Sequence, residues 1–357
     1  MRILQLSSAR HFGGGERHFV DLSNALTDRR HDVFVALPGD SPLKKELSRI
    51  PRDHFLTISI SNSLDIADSF RVRRFVREQR FDIVHAHVAR DYPFAALAVG
   101  GTAARLVLTR HVLFPLSKIH RLTQRRVARV IAVSAAVARV LNDQHIFDER
   151  KIVVVRHGID LNRFARNDHH ARDGLRRVGI IGELSAIKGQ EDFIRAAVMI
   201  AQGRDDVEFI IAGEDKSAGE ENRGRIVDLI QQLGLNERVK LVGWLDDVPK
   251  FLSSLDVFVS ASHSESFGLA IVEAMAAGVP VVATATEGAR EVIGAQKNGQ
   301  LTPTGDSSEL ARAINDILSS AELRASLSAA GTKRATEAFS LDRMVSETEQ
   351  VYLDVLA

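Results

Sequence analysis

The sequence predicts an α/β protein built from two doubly wound parallel-sheet domains. Three observations carry that expectation. The 357 residues exceed one ordinary domain. Short Val/Ile-rich runs alternate with longer amphipathic ones, the pattern of strands covered by helices on both faces. The alternation also restarts after residue 160, each half opening on a short strand that runs into a glycine-containing loop, MRILQLSS…GGGE and then RVGIIGELSAIKG.

In the first half, Ile3–Leu6 reads as a strand and residues 16–27 as a helix. Strand Asp32–Leu37, helix 69–79, strand Asp82–His87, strand Leu106–Thr109, a basic helix around 117–128 and strand Val130–Val133 follow. In the second half the strands are Arg177–Gly182, Glu208–Ala212, Val239–Val242, Val257–Ser260 and Pro280–Ala283. Helices fit at 190–202, 221–233, 246–254, 267–277 and 307–319. Leu161–Arg176 is polar and aperiodic and reads as a linker, which sets the domains at 1–160 and 177–340. A last helix, 341–357, offers Met344, Val345, Val351, Tyr352 and Val355 for packing, including back on the first domain.

Composition narrows the function classes. With 47 basic and 46 acidic residues, the net charge of +1 gives no reason to expect nucleic-acid binding. The absence of cysteine rules out disulfides and thiolate metal sites. The N-terminus lacks the apolar core of a secretory signal, and no apolar run reaches 18 residues, so the expectation is a cytoplasmic protein without a membrane span.

Several segments could carry chemistry. Gly13, Gly14 and Gly15 follow the first strand and open a helix, where backbone approaches a ligand closely and N–H groups favour anions; a plain tight turn is the alternative. His111 follows strand Leu106–Thr109, at the strand end where ligands gather in open parallel sheets. His85 and His87 share a strand face, but with no third ligand apparent the expectation is no metal. Lys188 precedes the helix near Gln190 and suits phosphate oxygens. Glu265 precedes a helix whose first turn would hold Phe267, Gly268 and Leu269, with N–H groups able to take a phosphate. Glu273, eight residues on, would lie about two turns further and could meet ribose hydroxyls.

Taken in order, GGGE, TRH, HGID (157–160), GELSAIKG (182–189), ESFGLAIVEAMAAGVPVVAT (265–284) and NGQL…GD (298–306) resemble the retaining GT-B glycosyltransferases of the group 1 family, glycosyltransferase family 4. The resemblance covers nearly the whole chain. It implies two Rossmann-like domains facing each other across a cleft, the second holding the sugar nucleotide and the first the acceptor. Glu265 would contact donor-sugar hydroxyls, Phe267–Leu269 the sugar and diphosphate, Glu273 the ribose and Lys188 the diphosphate. Gly13–Gly15 would approach the same phosphates, and His111 would sit near the transferred sugar. Gly213 and Leu245 would border the base pocket.

Two positions depart from the family pattern. Glu183 stands where a diphosphate-binding Arg is frequent, so either Lys188 and another cation, such as Arg290, hold the phosphates or the phosphate grip is altered. His157 stands where Asn is usual.

The implied activity is transfer of a hexose-type sugar from a UDP- or GDP-linked donor to a saccharide or lipid-linked hydroxyl acceptor, in glycan, polysaccharide or glycolipid synthesis. No cofactor is expected, and no Asp-x-Asp occurs, so no essential divalent metal is expected either. Alternatives are a sugar-nucleotide epimerase of the same fold and a non-catalytic sugar-nucleotide-binding protein. Basic stretches at 71–80 and 118–129 are either solvated faces or contacts to an anionic membrane surface. The oligomeric state is not encoded in any of these features.

Overall fold

The computed structural model describes residues 1–59, 66–164 and 174–357; most of the expected linker, residues 165–173, lies outside them. The chain divides into two compact units, Met1–Ile159 with Leu341–Ala357, and Asp160–Ser340.

The first unit carries seven parallel strands: β1 (Arg2–Leu6), β2 (Asp32–Leu37), β3 (Phe55–Thr57), β4 (Ile83–Ala86), β5 (Arg105–Arg110), β6 (Val127–Ala132) and β7 (Ile152–Val154), in the order β3-β2-β1-β4-β5-β6-β7. The helices are α1 (Gly14–Asp28), α2 (Ile66–Gln79), α3 (Tyr92–Ala98), α4 (Ala135–Asp143) and the C-terminal helix Leu341–Leu356. The central strands are buried on both faces, which is why they read as continuous apolar runs.

The C-terminal helix completes this unit. Met344, Val345, Val351 and Tyr352 form one helical face that joins the core of Ile3, Phe19, Val35, Ile83 and Val107. Polar contacts fix its register. The Arg29 guanidinium pairs with Glu349 and Asp342, and His31 Nε2 meets Glu349 Oε1 at 2.6 Å. The buried Tyr352 hydroxyl lies 2.6 Å from His85 Nδ1 and accepts from Gln5 Nε2 at 3.2 Å.

The second unit has six parallel strands, β8 (Arg176–Ile181), β9 (Val207–Ala212), β10 (Val239–Gly243), β11 (Val257–Ser260), β12 (Val281–Thr284) and β13 (Gln300–Thr302), ordered β10-β9-β8-β11-β12-β13. Its helices are α5 (Gln190–Ala201), α6 (Glu221–Gln232), α7 (Val248–Ser253), α8 (Leu269–Ala276), α9 (Glu287–Ile293), α10 (Ser307–Ser319) and α11 (Ala321–Ala338). In both units the strand order reverses once, between β1 and β4 and between β8 and β11. At such a reversal the loops after neighbouring strands diverge and leave a crevice at the carboxyl ends.

The structure differs from the sequence reading in several elements; the short helices α3, α4 and α9 were not anticipated. The basic helix expected around 117–128 is a 3₁₀ turn, Lys118–Leu122, running into β6. His120 Nδ1 bonds the Ser117 carbonyl at 2.8 Å and Thr123 Oγ1 donates to the His120 carbonyl at 2.7 Å, local bonds that compete with helix propagation. α11 was not anticipated because it has no apolar stripe. It packs through small residues instead, with Ser328 Oγ donating to Gly278 O at 2.6 Å and Thr332 Oγ1 to Met275 O at 3.0 Å. β3, β7 and β13 are three-residue strands, too short for a pattern to show.

Replacing the fully buried Tyr352 by Ala removes an aromatic ring and strands Gln5 and His85. We expect a cost of about 3–5 kcal/mol, the usual range for deleting a buried aromatic side chain. Chemical denaturation followed by probes in each unit should show the loss in the first unit, with the second unit's transition unmoved.

Candidate functional site

In the second unit, the two loops that flank the strand reversal supply a cation and a carboxylate. After β8 the chain passes Gly182 and Glu183, buries Leu184, and makes a 3₁₀ turn over Ala186–Lys188. Gly189 then begins α5 at φ +68°, where a Cβ would stand 2.0 Å from the Ala261 carbonyl oxygen, so only glycine fits. This close approach ties the loop after β8 to the loop after β11, with His263 N donating to Ile187 O at 2.7 Å. The stem of Lys188 lies over Gly182, and its Nζ meets Glu265 Oε2 at 2.8 Å. Ser262 Oγ donates to the same oxygen at 3.4 Å.

The helix α8 begins beside this pair. Gly268 is its N-cap at φ +102°, a conformation that L side chains rarely adopt. Ile271 N–H donates to Gly268 O at 3.0 Å, and the N–H groups that precede it open the helix, where the backbone dipole suits an anion. Phe267 turns its ring into the core, edge-on to Phe339 at 5.5 Å, so it can offer a ligand only backbone. Leu269 opens the helix, half-buried.

Here the sequence reading needs correction. Glu265 lies in the loop, not in line with Glu273 on one helix, so their eight-residue spacing is not two helical turns. The helix starts late because the chain between β11 and α8 packs against Gly288, whose N–H donates to the Glu265 carbonyl at 3.1 Å.

Other expected residues gather around the pair to different degrees. Gly213 abuts Gly182, since a Cβ there would lie 1.8 Å from the Gly182 carbonyl oxygen, and its N–H donates to Gly243 O at 2.7 Å. Leu245 lies two residues past Gly243, beside the half-exposed Trp244. Arg290 is exposed on α9, the helix that brings Gly288 to the Glu265 loop, with its Nε donating to Ala285 O at 3.0 Å. Glu183 points its carboxylate toward Lys216 Nζ at 3.8 Å, while its carbonyl accepts from Gln190 Nε2 at 2.9 Å. A groove of about 920 Å³ opens at the opposite, amino-terminal strand ends, near Arg176, Asp256 and Pro280. Its lining is dominated by alanines and other small residues, and Arg176 and Asp256 pair with each other at 2.7 Å; we assign no chemistry to it.

In the first unit, Gly13 caps α1 in an extended conformation and Gly14 and Gly15 start the helix. A Cβ on Gly15 would lie 3.3 Å from the His111 ring, so glycine loop and histidine are in contact. His111 belongs to a cluster the sequence reading did not see. His18 on α1, His85 and His87 at the end of β4, and His157 surround it, with ring centroids 4.1–5.8 Å apart for the packed pairs. His157 Nδ1 meets His18 Nδ1 at 3.0 Å, which accounts for a histidine before GID. His87 Nε2 donates to Gln5 Oε1 and His85 Nε2 meets Thr109 Oγ1, each at 2.7 Å. His18 was legible only as one helix residue among many, because its neighbours come from other strands.

Burial holds all five imidazoles neutral. His18 is lowered to about 3, and His85, His87, His111 and His157 lie well below the ordinary value for the same first reason, reinforced by their neighbours. His111 keeps some surface, while its Nε2 is shielded from solvent and its Nδ1 faces His157 at 3.5 Å. The unfolded chain takes up these protons first, near pH 6.5, so the stability they confer is complete above that pH and is lost as pH falls. His18 alone should cost about 2 kcal/mol by pH 5. Asp91, raised to about 6 by burial, binds its proton more tightly when folded and offsets part of this. Urea midpoints at pH 7 and pH 5 should show the first unit losing stability on acidification, with net proton uptake on unfolding.

The comparisons with known proteins agree with the two-unit parallel α/β fold. The model of the family described as glycosyltransferase family 4 matches residues 12–163, and that of the glycosyl transferases group 1 matches 162–334. The D-inositol 3-phosphate glycosyltransferase of Salinispora tropica is 28% identical over 78% of this chain, and the match spans 64% of that relative's length. The lipopolysaccharide core biosynthesis glycosyltransferase LpsE of Rhizobium meliloti is 27% identical over 97% of this chain and 96% of its own. The crystal structure of Anabaena HepE in complex with UDP and glucose superposes with a TM-score of 0.86 at 26% identity, covering 98% of both chains. With its two parallel α/β units and both halves matched, the chain belongs to the group 1, family 4-like glycosyltransferases of GT-B fold.

Proposed function

We propose that this protein transfers a hexose-type sugar from a nucleoside-diphosphate sugar to a hydroxyl acceptor, with retention at the anomeric carbon and no divalent metal in the chemical step. The observation that carries this reading is the Lys188–Glu265 pair at the strand reversal of the second unit, beside the start of α8. It is supported by the solved relative HepE, which is bound to UDP and glucose. The reading needs no cofactor beyond the substrate itself.

Lys188 and Glu265 neutralise each other without a ligand. An incoming diphosphate offers Lys188 a denser negative charge, and the exchange leaves the Glu265 carboxylate to accept hydrogen bonds from sugar hydroxyls. The N–H groups over Phe267–Leu269 take phosphate oxygen, Glu273 meets the ribose, and Gly213 and Leu245 border the base. On the same reading, as the family resemblance implies, Gly13–Gly15 would approach the phosphates and His111 would sit near the transferred sugar. The bond from the anomeric carbon to phosphate breaks with its electron pair on the diphosphate. The acceptor oxygen bonds the same face and passes its proton to the departing phosphate. Stabilising that departing charge is the main electrostatic task.

Were its carboxylate to face Lys188, Glu183 would favour a binding protein without turnover. Its orientation toward Lys216 takes the carboxylate off Lys188 and removes that objection. A membrane-facing basic surface also loses support. Arg71 and Arg74 pair with Asp68 and Glu78, and the second basic stretch is not a helix. Among the described residues no helix is long and apolar enough to cross a membrane. A lipid-linked acceptor therefore calls for liposome flotation, where dependence on anionic lipid would restore it.

With a panel of nucleoside-diphosphate sugars, turnover should fall about 10²–10³-fold in Lys188→Ala and Glu265→Ala, the range for losing one preorganised electrostatic partner. EDTA should not lower it. Turnover abolished by EDTA and restored by magnesium would refute the metal-free step, and interconversion of donor without acceptor, followed by NMR, would indicate an epimerase.

A further inference from the structure

The histidine cluster of the first unit contains more than the sugar-transfer reading uses. One ring nitrogen from each of His18, His87 and His111 lies within 4.8 Å of the other two. The three rings come from α1, the end of β4 and the end of β5, so the convergence is a product of the fold rather than of local sequence. His18 Nε2, His87 Nδ1 and His111 Nε2 are shielded from solvent, and none has a hydrogen-bond partner among the described residues. His18 and His87 are 3% and 4% exposed, so neither ring can turn its free nitrogen to water.

The opposite nitrogens are all engaged. His87 Nε2–H donates to Gln5 Oε1, whose own amide donates to the Tyr352 hydroxyl. That fixes the tautomer and leaves the His87 Nδ1 lone pair facing inward, the arrangement in which an outer carbonyl orients a metal-binding imidazole. His18 Nδ1 and His111 Nδ1 both face His157, at 3.0 and 3.5 Å. Presenting three inward lone pairs at once costs only the longer of these contacts.

We propose that His18, His87 and His111 form a binding site for a divalent transition-metal ion of the zinc class. Imidazole nitrogen suits zinc, copper and nickel, whereas magnesium and calcium prefer oxygen. Three histidines leave a fourth position open, as in three-ligand zinc sites. The nitrogens must draw in to reach Zn–N distances of about 2.0–2.1 Å, which small ring rotations supply. Filling the site occupies His111 Nε2, so the metal is an inhibitor of transfer rather than a participant. This consequence rests on the role of His111 proposed above; the site itself does not.

Wild-type protein dialysed against zinc chloride and then against metal-free buffer should retain about one equivalent, and cobalt(II) should give the visible bands of a nitrogen-bound tetrahedral ion. Retention should fall at least tenfold in His18→Gln and His87→Gln. Where a variant does not fold, anomalous diffraction at the zinc edge on wild-type crystals replaces it, with density expected among the three rings. Wild type that retains no zinc, as a site suited only to a bridging water would, overturns the proposal, and so does zinc located elsewhere or retained equally by folded variants. One equivalent of zinc should also suppress sugar transfer where magnesium does not. Zinc bound among the three rings without loss of turnover would leave the site standing and remove His111 from donor handling.

Discussion

The organisation of the second unit depends on the close approach of two loops at the strand reversal. Gly189 packs directly on the Ala261 carbonyl, and that contact sets where the loop after β8 meets the loop after β11. Lys188 Nζ and Glu265 Oε2 then meet at 2.8 Å. In solvent such a pair contributes little to stability. Its significance is electrostatic readiness: a cation and a carboxylate are held at one end of a sheet whose adjacent helix start also favours negative charge. A ligand with both phosphate and hydroxyl groups can satisfy both partners at once, and a ligand with only one cannot.

The first unit follows a different economy. Its strand ends converge on buried imidazoles, and a buried polar ring destabilises the fold unless its nitrogens are satisfied. Gln5, Thr109 and Tyr352 satisfy the outer nitrogens, and Tyr352 comes from the far end of the chain. The C-terminal helix is therefore more than a cover for apolar surface. Its tyrosine helps set the tautomers of a cluster that includes His111, which links the helix register, held by Arg29 and His31, to the chemistry of the strand ends.

These physical differences explain what could be read from the residues alone. The parallel sheets were legible because strands buried on both faces are apolar without interruption, and β2, β11 and α10 lie where the pattern puts them. Lys188, Gly268 and Glu265 were legible because their loops are contiguous motifs. α11 was not, because helices that pack through Ser, Thr and Gly carry no apolar period. The histidine cluster was not, because its members are separated by up to 139 residues and meet only through the sheet. His157 did leave a trace, as a departure from the family pattern, and its explanation required the position of His18.

Glu183 shows how such departures should be weighed. A carboxylate beside a diphosphate site would repel the ligand if it faced Lys188, and the sequence cannot say which way it faces. The structure places Lys216 on its other side, 3.8 Å away, while the Glu183 backbone is held by Gln190 at the start of α5. The backbone bond fixes where the residue sits, and the lysine biases where its charge points. Lys188 is thereby left paired with Glu265, and on the proposed reading the burden of holding phosphate shifts toward the N–H groups that open α8. On that reading the left-handed Gly268 would carry more of the site's specificity than a surface arginine, because a backbone cradle accepts only a group that fits its curvature.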